Sequence, residues 1–118
     1  MTGPGEDLFV GTYSEVRAAN LVSGLNATHT PHHVVQAAVS HAGSRGAGIA
    51  INLRKELHIL TRTFRKPVAP ASNLRTHLAW DIRDLRRILR GAGYDRATIN
   101  RQMQELIRQN TALGGFDT

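Results

Sequence analysis

A chain of 118 residues with 41% hydrophobic content is sized for one domain with a modest core, and it holds no apolar run long enough to cross a membrane. Lys and Arg number 15 against 9 Asp and Glu, and the resulting charge of +6 favours polyanions, nucleic acid before others. Cysteine is absent, which excludes disulfides and every thiolate metal site, the Cys-x-x-Cys zinc centre of nucleobase deaminases included.

Any metal must therefore take imidazole, carboxylate, amide or water. The basic set is almost all arginine, with Lys55 and Lys66 the only lysines. Arginine grips phosphate through two parallel N–H donors, where lysine acts as a point charge.

Residues 1–10 read as a flexible lead-in. Thr12 and Glu15 stand at capping-box spacing, so a helix is expected through Val16, Arg17, Ala18 and Ala19, ending near Gly24. Leu25 to Thr30 reads as extended, and Pro31 holds Thr30 out of the helical region. His32 to Val39 stays open: Val34-Val35 favours a strand, Gln36-Ala37-Ala38 a helix. His41 to Gly48 is expected as a loop carrying Gly43, Gly46 and Arg45. Gly48 to Leu53 reads as a short strand, and Arg54 to Thr63 as a helix carrying His58. Lys66 to Ser72 is a loop broken by Pro67 and Pro70.

Ser72 or Asn73 caps the next helix, which reaches about Arg90 and is ended by Gly91 and Gly93. Asp95 caps a last helix from Arg96 to Leu113, and Gly114 to Thr118 reads as a frayed tail. Leu74, Leu78, Ile82, Leu85 and Leu89 recur at helical spacing, as do Ile99, Met103, Leu106 and Leu113. Two such stripes predict a helical hairpin packed on the N-terminal half. Arg83, Arg86, Arg87 and Arg90 fall on the more polar side, as a solvated face or a phosphate-contacting one. The expected fold is α+β, mostly α, in a single domain.

His29, His32 and His33 crowd around Pro31. Neighbouring imidazoles point to opposite sides of an extended segment and about 100° apart on a helix, so they can take different roles. One can ligate a metal while the other takes a proton from water, because imidazole titrates near neutral pH. His58 is the candidate second ligand. His41 and His77 read as structural, His77 as a surface or hydrogen-bonded residue beside Trp80. Arg45, Arg54 and Arg65 flank the histidines, for phosphate contact or for solubility. The capping box accounts for Glu15. Two other classes remain open: a non-catalytic basic helical module for nucleic acid, and a helical protein-interaction module.

The order of histidine pair, glycine-rich loop, short strand and helix with a histidine resembles the His-Me finger (HNH, endonuclease VII-like) nucleases. The resemblance is strongest to the histidine-pair nucleases found as C-terminal toxin domains of bacterial polymorphic toxins. "TPHH", Thr30 to His33, resembles their histidine pair at the end of a first strand. "GIAINLRKELHILTRTF", Gly48 to Phe64, resembles their second strand, turn and metal-ligand helix. "GTYSEVRAANLVSGLNATH", Gly11 to His29, resembles the short Tyr-x-Glu helix and glycine turn that precede the pair.

The resemblance implies a ββα-metal finger with its N-terminal helix over 11–64 and a helical hairpin over 72–113. It implies His32 as a ligand of one divalent ion (zinc, magnesium, nickel or manganese), His33 as the general base and His58 as the next ligand. Such an ion acts as Lewis acid and leaving-group stabiliser. Arg62 stands where several relatives have a further histidine; it would there stabilise the pentavalent phosphate, with His29 as substitute ligand. The amide that orients the base in that family has no counterpart at its usual place, which Ile49 occupies, and Asn52 comes later. The implied substrate is nucleic acid, DNA ahead of RNA. The implied partner is an acidic cognate immunity protein, and the implied setting is a secreted or delivered effector acting in the target-cell cytoplasm.

Overall fold

The apolar run after Gly48 forms the middle strand of a three-stranded antiparallel sheet. In the computed structural model, which describes residues 3–36, 44–66 and 73–114, β1 is Val10–Thr12, β2 is His29–His33 and β3 is Ile49–Arg54, in the order β1-β3-β2. Ile49 to Leu53 is buried throughout because both faces of β3 are covered, which is why its sequence runs apolar instead of alternating. Ile49, Ile51 and Leu53 join the core shared with the C-terminal helices. Asn52 faces α1, Tyr13–Ser23, where its amide and that of Asn20 each donate to the other's oxygen at 2.9 Å.

β2 is an edge strand, and that position admits Pro31. Val34 N donates to Ile49 O and Lys55 N to Thr28 O, so the even-numbered residues of this strand face β3 with their hydrogen bonds. Pro31 falls between them, and its missing N–H lies on the open side. The stretch left open by the sequence is thus a strand as far as His33. Ala37 to Gly43, with His41, lie outside the described residues, as do Pro67 to Ser72 and the tail from Gly115.

Three expectations are corrected. The lead-in is not free over its whole length: Leu8 is 2% exposed and Val10 3%. Leu8 N donates to Asn52 O and Asn52 N to Phe9 O, which carries the chain into β1. Leu25–Ala27 is a 3-10 turn following Gly24, whose φ of 81° is the left-handed region that suits glycine. The helix expected from Arg54 to Thr63 is a single turn, α2, Lys55–His58. Thr61 Oγ1 donates to His58 O at 2.8 Å, and Asp84 accepts from Arg62 N at 2.7 Å; both bonds draw the chain out of the helical path.

The hairpin forms as its caps and stripes dictate. α3 is Leu74–Gly91, capped by Asn73 on Thr76 N, and α4 is Arg96–Leu113, capped by Asp95 on Thr98 N. The α1 capping box of Thr12 and Glu15 also forms. The buried face of α3 differs from the apolar stripe in one respect. His77 and Asp81 are buried in it, while Ile82 is only partly covered. The fold is mixed α+β and mostly helical, and none of the described helices is long and apolar enough to cross a membrane.

Candidate functional site

The pairing of β2 with β3 sets His32 opposite Ile51 and His33 opposite Ala50. Being adjacent on a strand, the two rings leave it in opposite directions. His32 is 5% exposed, and its ring lies 5.3 Å from that of His58, edge to face at 69°. His58 reaches it because α2 begins directly where β3 ends. Phe64 closes against His58 at 5.1 Å, so His58 is held between one imidazole and one phenyl ring.

His33 is mounted differently. Its ring stacks on Tyr13, 4.5 Å between centroids and 4° from parallel. The Arg45 guanidinium lies 5.0 Å from the Tyr13 centroid. His33 Nε2 lies 2.8 Å from the Arg45 carbonyl oxygen. A carbonyl only accepts, so Nε2 carries the proton and Nδ1 is left as the basic nitrogen. Gly48 makes room for this ring: a Cβ there would stand 3.0 Å from His33 Cδ2.

The three histidines line one cleft of about 380 Å³, with Tyr13, Thr30, Pro31, Gln36, Arg45, Thr63, Phe64 and Arg65. Burial, reinforced by the nearness of His58 and His33, pushes His32 down to about 3. Burial also lowers His33, against the pull of the Arg45 carbonyl and with the help of the Arg45 charge, and it lowers His58. Neutral rings keep their lone pairs, which suits ligands and bases.

The structure brings His32, His33, His58, Arg45 and Arg65 together and leaves three other candidates apart. His29 is not available as a substitute ligand. Its Nδ1 meets Thr28 Oγ1 at 2.7 Å and its Nε2 meets Asp7 Oδ1 at 2.9 Å, so both nitrogens are engaged. Arg62 does not line the cleft. Its Nη1 bonds Asp81 Oδ1 at 2.5 Å and its guanidinium lies 5.0 Å from the Trp80 centroid. Arg54 pairs with Glu56 at 3.5 Å and lies over the Tyr94 ring at 5.4 Å, again outside the cleft. Asn52 belongs to the amide pair with Asn20, and the Arg45 carbonyl orients His33 in its place.

Two neutral imidazoles, His32 and His58, converge as possible metal donors. Among the described residues no three of His, Cys, Asp and Glu gather in a way that could hold a metal ion. Catalytic zinc sites commonly have three protein ligands. An ion held here would take its remaining positions from water and phosphate oxygens.

Tyr13 and Phe64 were not assigned roles by the sequence. Tyr13 had a signal, its place in a Tyr-x-Glu helix start; Phe64 had none. Comparison with family models, curated proteins and solved structures finds no match to the chain. A functional reading rests on these side chains.

Proposed function

We propose that the chain is a metal-dependent endonuclease hydrolysing phosphodiester bonds, DNA ahead of RNA, with β2, β3 and α2 serving as a ββα finger. The mounting of His33 carries this reading. A backbone carbonyl accepts its Nε2–H, an aromatic ring fixes its plane, and Nδ1 is left basic on a ring that lines the same cleft as two further neutral imidazoles. His33 accepts the proton of the attacking water. His32 and His58 would hold one divalent ion, which supplies Lewis acidity and stabilises the leaving oxygen. Arg45 and Arg65 line the cleft and neutralise phosphate oxygens. Arg65 adopts φ 52°, a left-handed backbone that a non-glycine residue rarely holds.

Two imidazoles could also cleave RNA without metal, one as base and one as acid. The acid must be protonated at neutral pH, and burial lowers all three rings. Ligand and base roles fit neutral rings better. The resemblance extends the proposal to a toxin effector delivered into a target cell and restrained by an acidic immunity protein. The alternative, a non-catalytic basic helical module, asks nothing of the histidines.

The test is cleavage of plasmid DNA and of RNA with zinc, magnesium, nickel or manganese, and with a chelator. Cleavage that one of these ions supports and the chelator abolishes is expected. Cleavage that survives the chelator would end the metal-dependent reading, and binding without cleavage under every ion would favour the non-catalytic module.

A further inference from the structure

The row of arginines on α3 divides in the folded chain. Arg87 pairs with Asp84 at 2.8 Å and is neutralised. Arg86 and Arg90 instead turn toward the junction with α4, where they line a cavity of about 470 Å³ with Tyr94, Arg96, Ile99 and Asn100. Among the described residues no carboxylate lines it. Arg62, Arg87 and Arg108 each have an acidic partner, whereas among the described residues Arg86, Arg90 and Arg96 have none.

Two details make this a poor arrangement for stability alone. Arg86 Nη1 donates to Asn100 Oδ1 at 2.6 Å, which aims the guanidinium without cancelling its charge. Arg96 is the first residue of an 18-residue helix and sits at the positive end of its dipole; the one carboxylate beside it in sequence, Asp95, is taken up in capping Thr98 N. Tyr94 donates to Asp7 Oδ2 at 2.5 Å, which fixes its ring as one wall. Three like charges at one cavity repel one another until an anion arrives.

We propose that Arg86, Arg90 and Arg96 form a second nucleic-acid site that grips the phosphodiester backbone outside the cleft. It rests on the nucleic-acid part of the reading above and not on hydrolysis. Asp7 joins Tyr94 to His29, so the site is tied to the end of β2 opposite His33. That separation is about 13 Å along the strand, at roughly 3.3 Å per residue. The cleft would do the chemistry while this site holds the polymer.

The experiment is binding of a fluorescent duplex DNA to the full chain in chelator, by polarisation, at salt from about 50 to 200 mM. Arg90→Gln/Arg96→Gln is compared with wild type and with Arg17→Gln/Arg83→Gln, which removes equal charge from outside the cavity. Each lost phosphate contact lowers the slope of log affinity against log salt by about 0.9, so the double variant is expected to lose nearly 2 and the control much less. Adding Arg86→Gln is expected to lower it further. An unchanged slope overturns the site, and so does an equal loss in the control, which would mean diffuse charge. Retained DNA binding with lost binding of polyglutamate also overturns it, assigning the patch to an acidic protein. Thermal melting of the double variant, which leaves the Arg86 bond to Asn100 intact, guards against misfolding. Because no cleavage is required, a chain that never cuts DNA still decides the matter, and normal binding by the variants leaves hydrolysis in the cleft untouched.

Discussion

His29 and His33 close the two ends of β2, and the fold treats them in opposite ways. At the His29 end both ring nitrogens are engaged, one by Thr28 and one by Asp7, and Asp7 also accepts from Tyr94. Through Asp7, β2 and the connection between α3 and α4 are both tied to the N-terminal segment. At the His33 end, among the described residues, only one nitrogen is engaged, by a main-chain carbonyl, and stacking on Tyr13 holds the ring. The same residue type on the same strand is a strut at one end and a candidate reagent at the other. What separates them is the number of polar atoms left without a partner, together with how rigidly the ring is mounted.

The largest test of that contrast is removal of the reagent. His33→Ala is expected to slow cleavage by about 10²–10⁴-fold, the range of a general base, while calorimetry finds divalent-ion binding unchanged. His58→Ala is expected to weaken ion binding and cleavage together. Wild-type cleavage by His33→Ala would leave the two ends of β2 functionally alike.

The second test uses pH. His32 falls from 6.5 in the unfolded chain to about 3 in the folded one, so the unfolded chain takes up its proton first. Its contribution is full above pH 6.5 and is lost as pH falls toward 3, at up to about 1.4 kcal/mol per unit. Asp81, pushed up to about 6 by burial against the pull of Arg62, slopes the other way over part of this window. The informative curve is therefore the difference between wild type and His32→Leu in urea denaturation across pH. A flat difference would mean that His32 is not held neutral.

The smallest effect belongs to the strut. His29→Ala takes one partner from Asp7, whose side chain is 40% exposed and can take up water in its place, and is expected to cost about 0.5–1.5 kcal/mol in urea denaturation, with cleavage per folded molecule unchanged. A specific loss of activity at full stability would return His29 to the site.

The parts of the fold set by local signals were readable in the sequence. Thr12 with Glu15, Asn73 and Asp95 cap their own helices, and the stripes of α3 and α4 need only periodicity. β3 was readable as an apolar run. β1 was not, because three residues carry no period and the strand exists only where β3 offers an edge. The length of α2 was hidden in contacts of Thr61 and Arg62 made after the chain turns. At the site, the order of strands and helix was enough to bring His32 and His58 into one expectation. Tyr13 under His33 and the Arg45 carbonyl were not visible, since each depends on segments distant in sequence. Arg62 was assigned to the cleft from its spacing after His58, but the buried carboxylate of Asp81 on α3 draws it away.

The paired amides of Asn20 and Asn52 have a consequence for inheritance. Each satisfies the other, so replacing one by leucine strands a buried donor and acceptor at a cost of about 1–3 kcal/mol. Replacing both by apolar residues of similar shape removes that mutual need; the Glu6 carbonyl loses its bond from Asn52 but keeps the one from Phe9 N, so the double change can be nearly neutral. Any lineage that crosses between these states passes through a weakened intermediate. Positions 20 and 52 are thereby linked in descent, kept together or exchanged together, although a helix and a strand hold them 32 residues apart.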